Sequence, residues 1–141
     1  MPKTLLYRLF GVGKIPENIS AELKREGILL MDEGLRGSTT YIDFRAPGKY
    51  SSWRRQWHSA SIALTEMRLM ALGNSRPNVN VPFLDERIRK LQLSVESDTL
   101  CIAFDPSLFH DGWSGTIEYR FHTLQAQLFV NKLRERVGEQ R

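Results

Sequence analysis

The stretch "KLQLSVESDTLCIAFD", residues 90–105, decides the fold class. Leu91, Leu93 and Val95 occupy alternate positions, Leu100, Ile102 and Phe104 do so again, and Glu96-Ser97-Asp98 interrupts the two runs. Successive side chains of a strand point to opposite faces, so the spacing predicts two half-buried strands joined by a tight turn, a β-hairpin.

The same period recurs on both sides of this hairpin. Downstream, "SGTIEYRFHT" puts Ile117, Tyr119 and Phe121 on one face. Upstream, "RGSTTYIDFRAPG" alternates, with Thr40, Ile42 and Phe44 on one side. "ILLMDEG" reads as an apolar strand stopped by a turn. "SASIALT" and "RLMALG" read as two strands joined at Thr65-Glu66-Met67, and "NVNVPF" as a short strand ending in proline. Only the chain ends change period. "KTLLYRLFG" carries a helical stripe at positions 5, 6, 9 and 10, and "IPENISAELKREG" predicts a second short helix closed by Gly27. "TLQAQLFVNKLRERVGEQR" predicts a final helix with Leu124, Leu128, Phe129, Leu133 and Val137 near one stripe, capped by Thr123 and ended by Gly138. The expected fold is mainly β (α+β): an antiparallel, partly open barrel of about seven strands, capped by a C-terminal amphipathic helix. Residues 1–26 form an N-terminal helical extension and residues 27–141 the barrel with its helix.

The 141 residues suffice for one domain with a true core. Twenty Lys and Arg against 16 Asp and Glu give a net charge of +4, which favours an encounter with anionic partners without naming one. The single cysteine, Cys101, lies in an apolar run and reads as a buried small hydrophobe, so neither a disulfide nor redox chemistry is expected. His58, His110 and His122 are far apart in sequence, so no metal and no cofactor are implied. No segment approaches the ~20 apolar residues that span a bilayer, and "MPKTLLYRLF" lacks the character of a signal peptide. The expectation is a cytoplasmic protein that meets a membrane, if at all, from its surface.

The densest functional signal is Lys49–Trp57, "KYSSWRRQW". It holds two tryptophans, a tyrosine, two arginines and a lysine, and no acid occurs between Phe44 and Thr65. Arginine and lysine pair with phosphate and carboxylate, and tryptophan suits a surface that is half apolar and half wet. The cluster predicts a loop that leaves the barrel at Ala46 and returns at Trp57, with Trp57 and Ile62 anchoring the returning strand. Lys49, Arg54 and Arg55 then form the most positive local surface. The competing reading packs Trp53 and Trp57 on the core and leaves the arginines as a solvated face. Arg45, Lys49, Trp53, Arg54 and Arg55 are the candidate ligand-binding residues, and there is no catalytic or metal candidate. "FGVGK", residues 10–14, lacks the Ser or Thr a phosphate loop needs after its lysine. "FHDGW", residues 109–113, reads as a loop, since adjacent His110 and Asp111 have no companion nucleophile pattern. "DERIRKL" reads as a solvated connection in which Asp85 can cap a helical turn.

Several stretches carry a resemblance. "GILLMDEG" looks like the first strand and turn, and "SASIALTEMRLMAL" like a strand ending at "LT" followed by one opening at "RL". "KLQLSVESDTLCIAFD" looks like a later hairpin and "TLQAQLFVNKLRE" like a closing helix. From Gly27 to Glu135 the chain resembles the pleckstrin-homology-like superfold, and within it the GRAM and bacterial PH-like domains. That resemblance implies a binding module. Relatives take phosphoinositides, phosphorylated or proline-rich peptides, or other proteins, and the lipid-binding ones use basic residues between early strands. The corresponding basic segment here is Arg45 to Arg55, but no lipid-binding motif matches residue by residue. Three functional readings follow. The first is a non-catalytic module for an anionic ligand, either a phospholipid headgroup or an acidic or phosphorylated peptide. The second is a protein-interaction or homo-oligomerisation domain, and the third a small barrel enzyme with a polar interior. Nucleic acid is disfavoured, because no recognition helix or strongly basic stripe is present.

Overall fold

A computed structural model describes residues 14–139. Helix α1 (Glu17–Glu26) precedes seven strands: β1 (Ile28–Ala46), β2 (Lys49–Thr65), β3 (Arg68–Gly73), β4 (Arg76–Pro82), β5 (Gln92–Glu96), β6 (Thr99–Phe104) and β7 (Ser114–His122). Helix α2 (Ala126–Glu139) closes the chain. The strands form one antiparallel sheet in the order β4-β3-β2-β1-β7-β6-β5. The hairpin of residues 90–105 forms as its alternation predicts, with Leu100, Ile102 and Phe104 buried. The expected first helix and "FGVGK" fall wholly or largely outside the described residues.

Two expected early strands are one. "DEG" is a bulge inside β1 and not a turn: the register against β2 shifts between Asp32 and Leu35, and Gly34 has φ +68°. The bulge turns two acids to structural use. Asp32 accepts from the Thr123 hydroxyl at 2.8 Å, holding the lead into α2, and Glu33 accepts from the Ile15 N–H at 3.0 Å, holding the lead into α1.

β2 runs without alternation in "SASIALT" because its sheet is covered on both sides there. Ala60, Ile62 and Leu64 face the main core with Phe121 and Phe129. Ala63, with Met70 and Leu72 of β3, faces Ile15 and Leu23. Full burial of Leu23 is worth about 1.5–3 kcal/mol, so α1 packs as part of the barrel wall. Its C-terminal end is also clamped by charge. Glu26 accepts from Arg68 Nε at 3.0 Å and from the Thr65 hydroxyl at 2.8 Å, and Arg68 also meets Glu22 at 2.9 Å.

The final helix corrects one expectation. Ala126, Phe129, Val130 and Leu133 are its buried stripe, whereas Leu124 and Leu128 are exposed. The helix begins at Ala126 and its buried face lies over β5 and β6, so Phe129 and Leu133 are buried and Val137 packs against the core as the stripe predicts, while Leu124 precedes the helix and Leu128 faces outward. It also runs through Gly138, because a glycine alone does not stop a helix. Thr123 caps the lead-in by accepting from the Gln125 N–H at 3.1 Å. Among the described residues no helix is long and apolar enough to cross a membrane.

Candidate binding surface

The Lys49–Trp57 cluster is a strand and not a loop. Ala46 pairs with Lys49 across the two-residue turn Pro47-Gly48, where Gly48 takes φ +75°, and pairing continues down to Thr65. The alternating residues of "RGSTTYIDFRAPG" supply the partner strand, which is why the basic segment folds back at once.

Strand alternation then splits the cluster. Trp53, Arg55 and Trp57 share one face of the hairpin, and Arg54 lies on the other. On the first face Arg55 stands between the two indoles, its guanidinium carbon 5.2 Å from the Trp53 ring centre and 5.9 Å from that of Trp57. Its Nε donates to the Thr40 hydroxyl at 2.7 Å and its Nη2 lies 3.8 Å from Glu118. Arg36 adds a second cation over Trp57, at 4.9 Å. The indoles sit on the sheet surface with 59% and 54% of their area exposed, so Trp57 does not anchor the strand in the core, whereas Ile62 does. Packing on arginine, which tolerates partial desolvation, replaces burial as their support. His122 lies beside Trp57. Burial and the nearby Arg36 and Arg120 hold its imidazole below the usual range.

The opposite face forms a cleft of about 430 Å³ at the hairpin tip. Tyr41, Phe44 and Trp113 make its apolar wall, and Lys49, Tyr50 and Arg54 its rim. Asp43 creates the wall. Its left-handed backbone (φ +47°) breaks the alternation of β1, so Phe44 comes to the side of Tyr41 and the two rings meet edge to face at 5.0 Å. Phe44 in turn meets Trp113 edge to face at 5.4 Å, and His110 stacks on the outside of Trp113 at 4.0 Å. Gly115 permits this bend, since a Cβ there would stand 2.3 Å from the Asp43 carbonyl oxygen. Arg54 lies over Tyr41 at 5.2 Å and Arg45 over Tyr50 at 4.7 Å. Among the described residues no acid lines this cleft.

The structure therefore gathers Lys49 and Arg54 at one site, with Arg45 beside it, and sends Trp53 and Arg55 to the reverse face. Sequence reasoning missed Tyr41, Phe44 and Trp113 as cleft residues. Their signals were present but scattered: Tyr41 was the odd residue of an alternating strand, and Trp113 lay at the end of a loop about 60 residues away. Two other clefts are of similar size. One, at the 3-10 turn of Pro106–Leu108, contains Asp105. The other lies in the seam between β5 and α2, where Arg89 and Arg134 flank Leu and Val side chains without aromatic rings. The chain matches no protein-family model and no curated protein.

Proposed function

We propose that this chain is a non-catalytic binding module whose tip cleft takes an anionic group, carried by a phospholipid headgroup or by an acidic or phosphorylated peptide. The observation behind it is that Lys49 and Arg54 line one cleft over an aromatic wall, with no carboxylate in the lining among the described residues. A phosphate or carboxylate entering there meets two cations, and the apolar part of the ligand meets Tyr41 and Trp113. Tyr50 beside the tip turn is exposed, which suits contact with a large partner.

The resemblance to the pleckstrin-homology-like superfold is part of the same proposal. A seven-stranded antiparallel sheet closed by a C-terminal helix supports it, as does a basic segment between the first two strands. The main core is chiefly Leu, Ile, Val, Phe and Ala, with Tyr119 its one buried residue bearing a polar group among those described, which favours a binding module over a barrel enzyme.

The test is cosedimentation with anionic and with neutral vesicles, and titration with acidic and phosphorylated peptides, at low and moderate salt. Exposed charges are screened over about 8 Å at physiological ionic strength, so binding through the cleft weakens as salt rises. Absence of binding to every anionic probe at low salt overturns the reading.

A further inference from the structure

From the open edge of β2 we infer that the partner is an extended acidic peptide that binds as an added strand along Trp53–Trp57. This rests on the anionic-ligand reading above and names its partner. Among the described residues, the outer side of β2 pairs with β3 only from Ala60 to Leu64. One step further, Ser59 accepts from the Asn74 N–H at 2.8 Å and donates its own N–H to Asn74 Oδ1 at 3.3 Å, so both its backbone groups point outward. The ladder to β1 continues without a register shift from Ala60 to Trp53. Alternate residues of an antiparallel strand direct N–H and C=O to the same side, so Trp57, Arg55 and Trp53 also present theirs outward. No described strand meets them, and such an edge is a template for strand addition.

The side chains along that edge choose the occupant. A second copy would set another Arg54-Arg55 pair against the first, with no acid in either β2, and like charges opposed across a ladder repel. An acidic strand removes that repulsion. Its residues opposite Trp53 and Trp57 meet exposed indole, and those opposite Arg54 meet a cation at the cleft rim. Arg55 is already held by Thr40 and Glu118, so the pattern that fits alternates apolar with acidic residues.

The experiment uses the full chain and an octapeptide of alternating Val and Glu, followed by backbone amide exchange and indole fluorescence. Strand addition slows exchange at Trp53, Arg55 and Trp57 and leaves Arg54 and Gln56, which already face β1, unchanged. Methylating the Val nitrogens keeps every charge but removes the donors, and weakens binding about tenfold or more. Equal binding of the methylated peptide overturns strand addition while leaving the anionic cleft intact. So does binding to anionic vesicles with no binding of either peptide. Equal binding of a Val-Lys peptide overturns both readings. A concentration-dependent dimer that the peptide dissociates shows that a second copy owns the edge, and also overturns the inference.

Discussion

Arg54 and Arg55 are neighbours in the chain and stand on opposite faces of the β1–β2 hairpin. Arg54 rims the tip cleft over Tyr41, whereas Arg55 is held between two indoles, by Thr40 and near Glu118. Their removal should therefore have different consequences. Arg55→Ala breaks a hydrogen bond and two cation–π contacts, and should cost about 1–2 kcal/mol in urea unfolding. Arg54→Ala should stay within about 0.5 kcal/mol of the parent. Equal destabilisation by the two variants would contradict the split.

The phase of the final helix sets a second contrast. Phe129 is 2% exposed and Leu128 55%. Phe129→Ala should cost about 3–5 kcal/mol through the cavity it leaves, and Leu128→Ala should melt with the parent. A large loss at Leu128 would mean that the helix packs through another face.

Gly115 is required by its backbone as well as by its neighbour. It has φ +103°, and a Cβ would collide with the Asp43 carbonyl. Gly115→Ala should cost about 2 kcal/mol or more. It should also disturb the packing of Phe44 against Trp113, seen as a change in near-ultraviolet circular dichroism.

The clamp between α1 and the sheet has a pH signature. Burial alone would raise the Glu26 carboxyl, but hydrogen bonds from Arg68 and Thr65 outweigh it and hold the carboxyl below its ordinary value of 4.5. A depressed carboxylate adds stability that is fully present above the unfolded value and is lost as pH falls through the folded one. Glu26→Gln should therefore be destabilised at pH 7, by about 1–3 kcal/mol, with the gap closing below about pH 4. A gap that stays constant down to pH 3 would contradict the clamp.

Strands with one buried face were legible from residue period alone, as in Ile117, Tyr119 and Phe121. Three features were not. The "DEG" bulge uses the residues of a turn, and only pairing with β2 shows that the strand continues. The Lys49–Trp57 strand has no buried face, so its aromatic and basic residues carry no apolar alternation to mark it. The helix stripe was legible at Phe129 and Leu133 but not at its start, because Leu124 precedes the helix and counting from it adds the exposed Leu128 and omits Ala126 and Val130. For the site, composition located the basic segment. Its division between two faces follows from strand geometry, and its aromatic wall from the Asp43 bend, which no local pattern announces.

The central claim is that Lys49 and Arg54 act as a site and not as net charge. Two double variants test it, Lys49→Ala/Arg54→Ala at the cleft and Lys24→Ala/Arg25→Ala on the exposed side of α1, which removes the same charge elsewhere. Each is titrated with a phosphorylated peptide and with anionic vesicles at fixed salt. The account predicts that the cleft variant loses about tenfold or more in affinity while the helix variant stays within about twofold of the parent. Equal losses in the two variants, or an unchanged cleft variant, would contradict it.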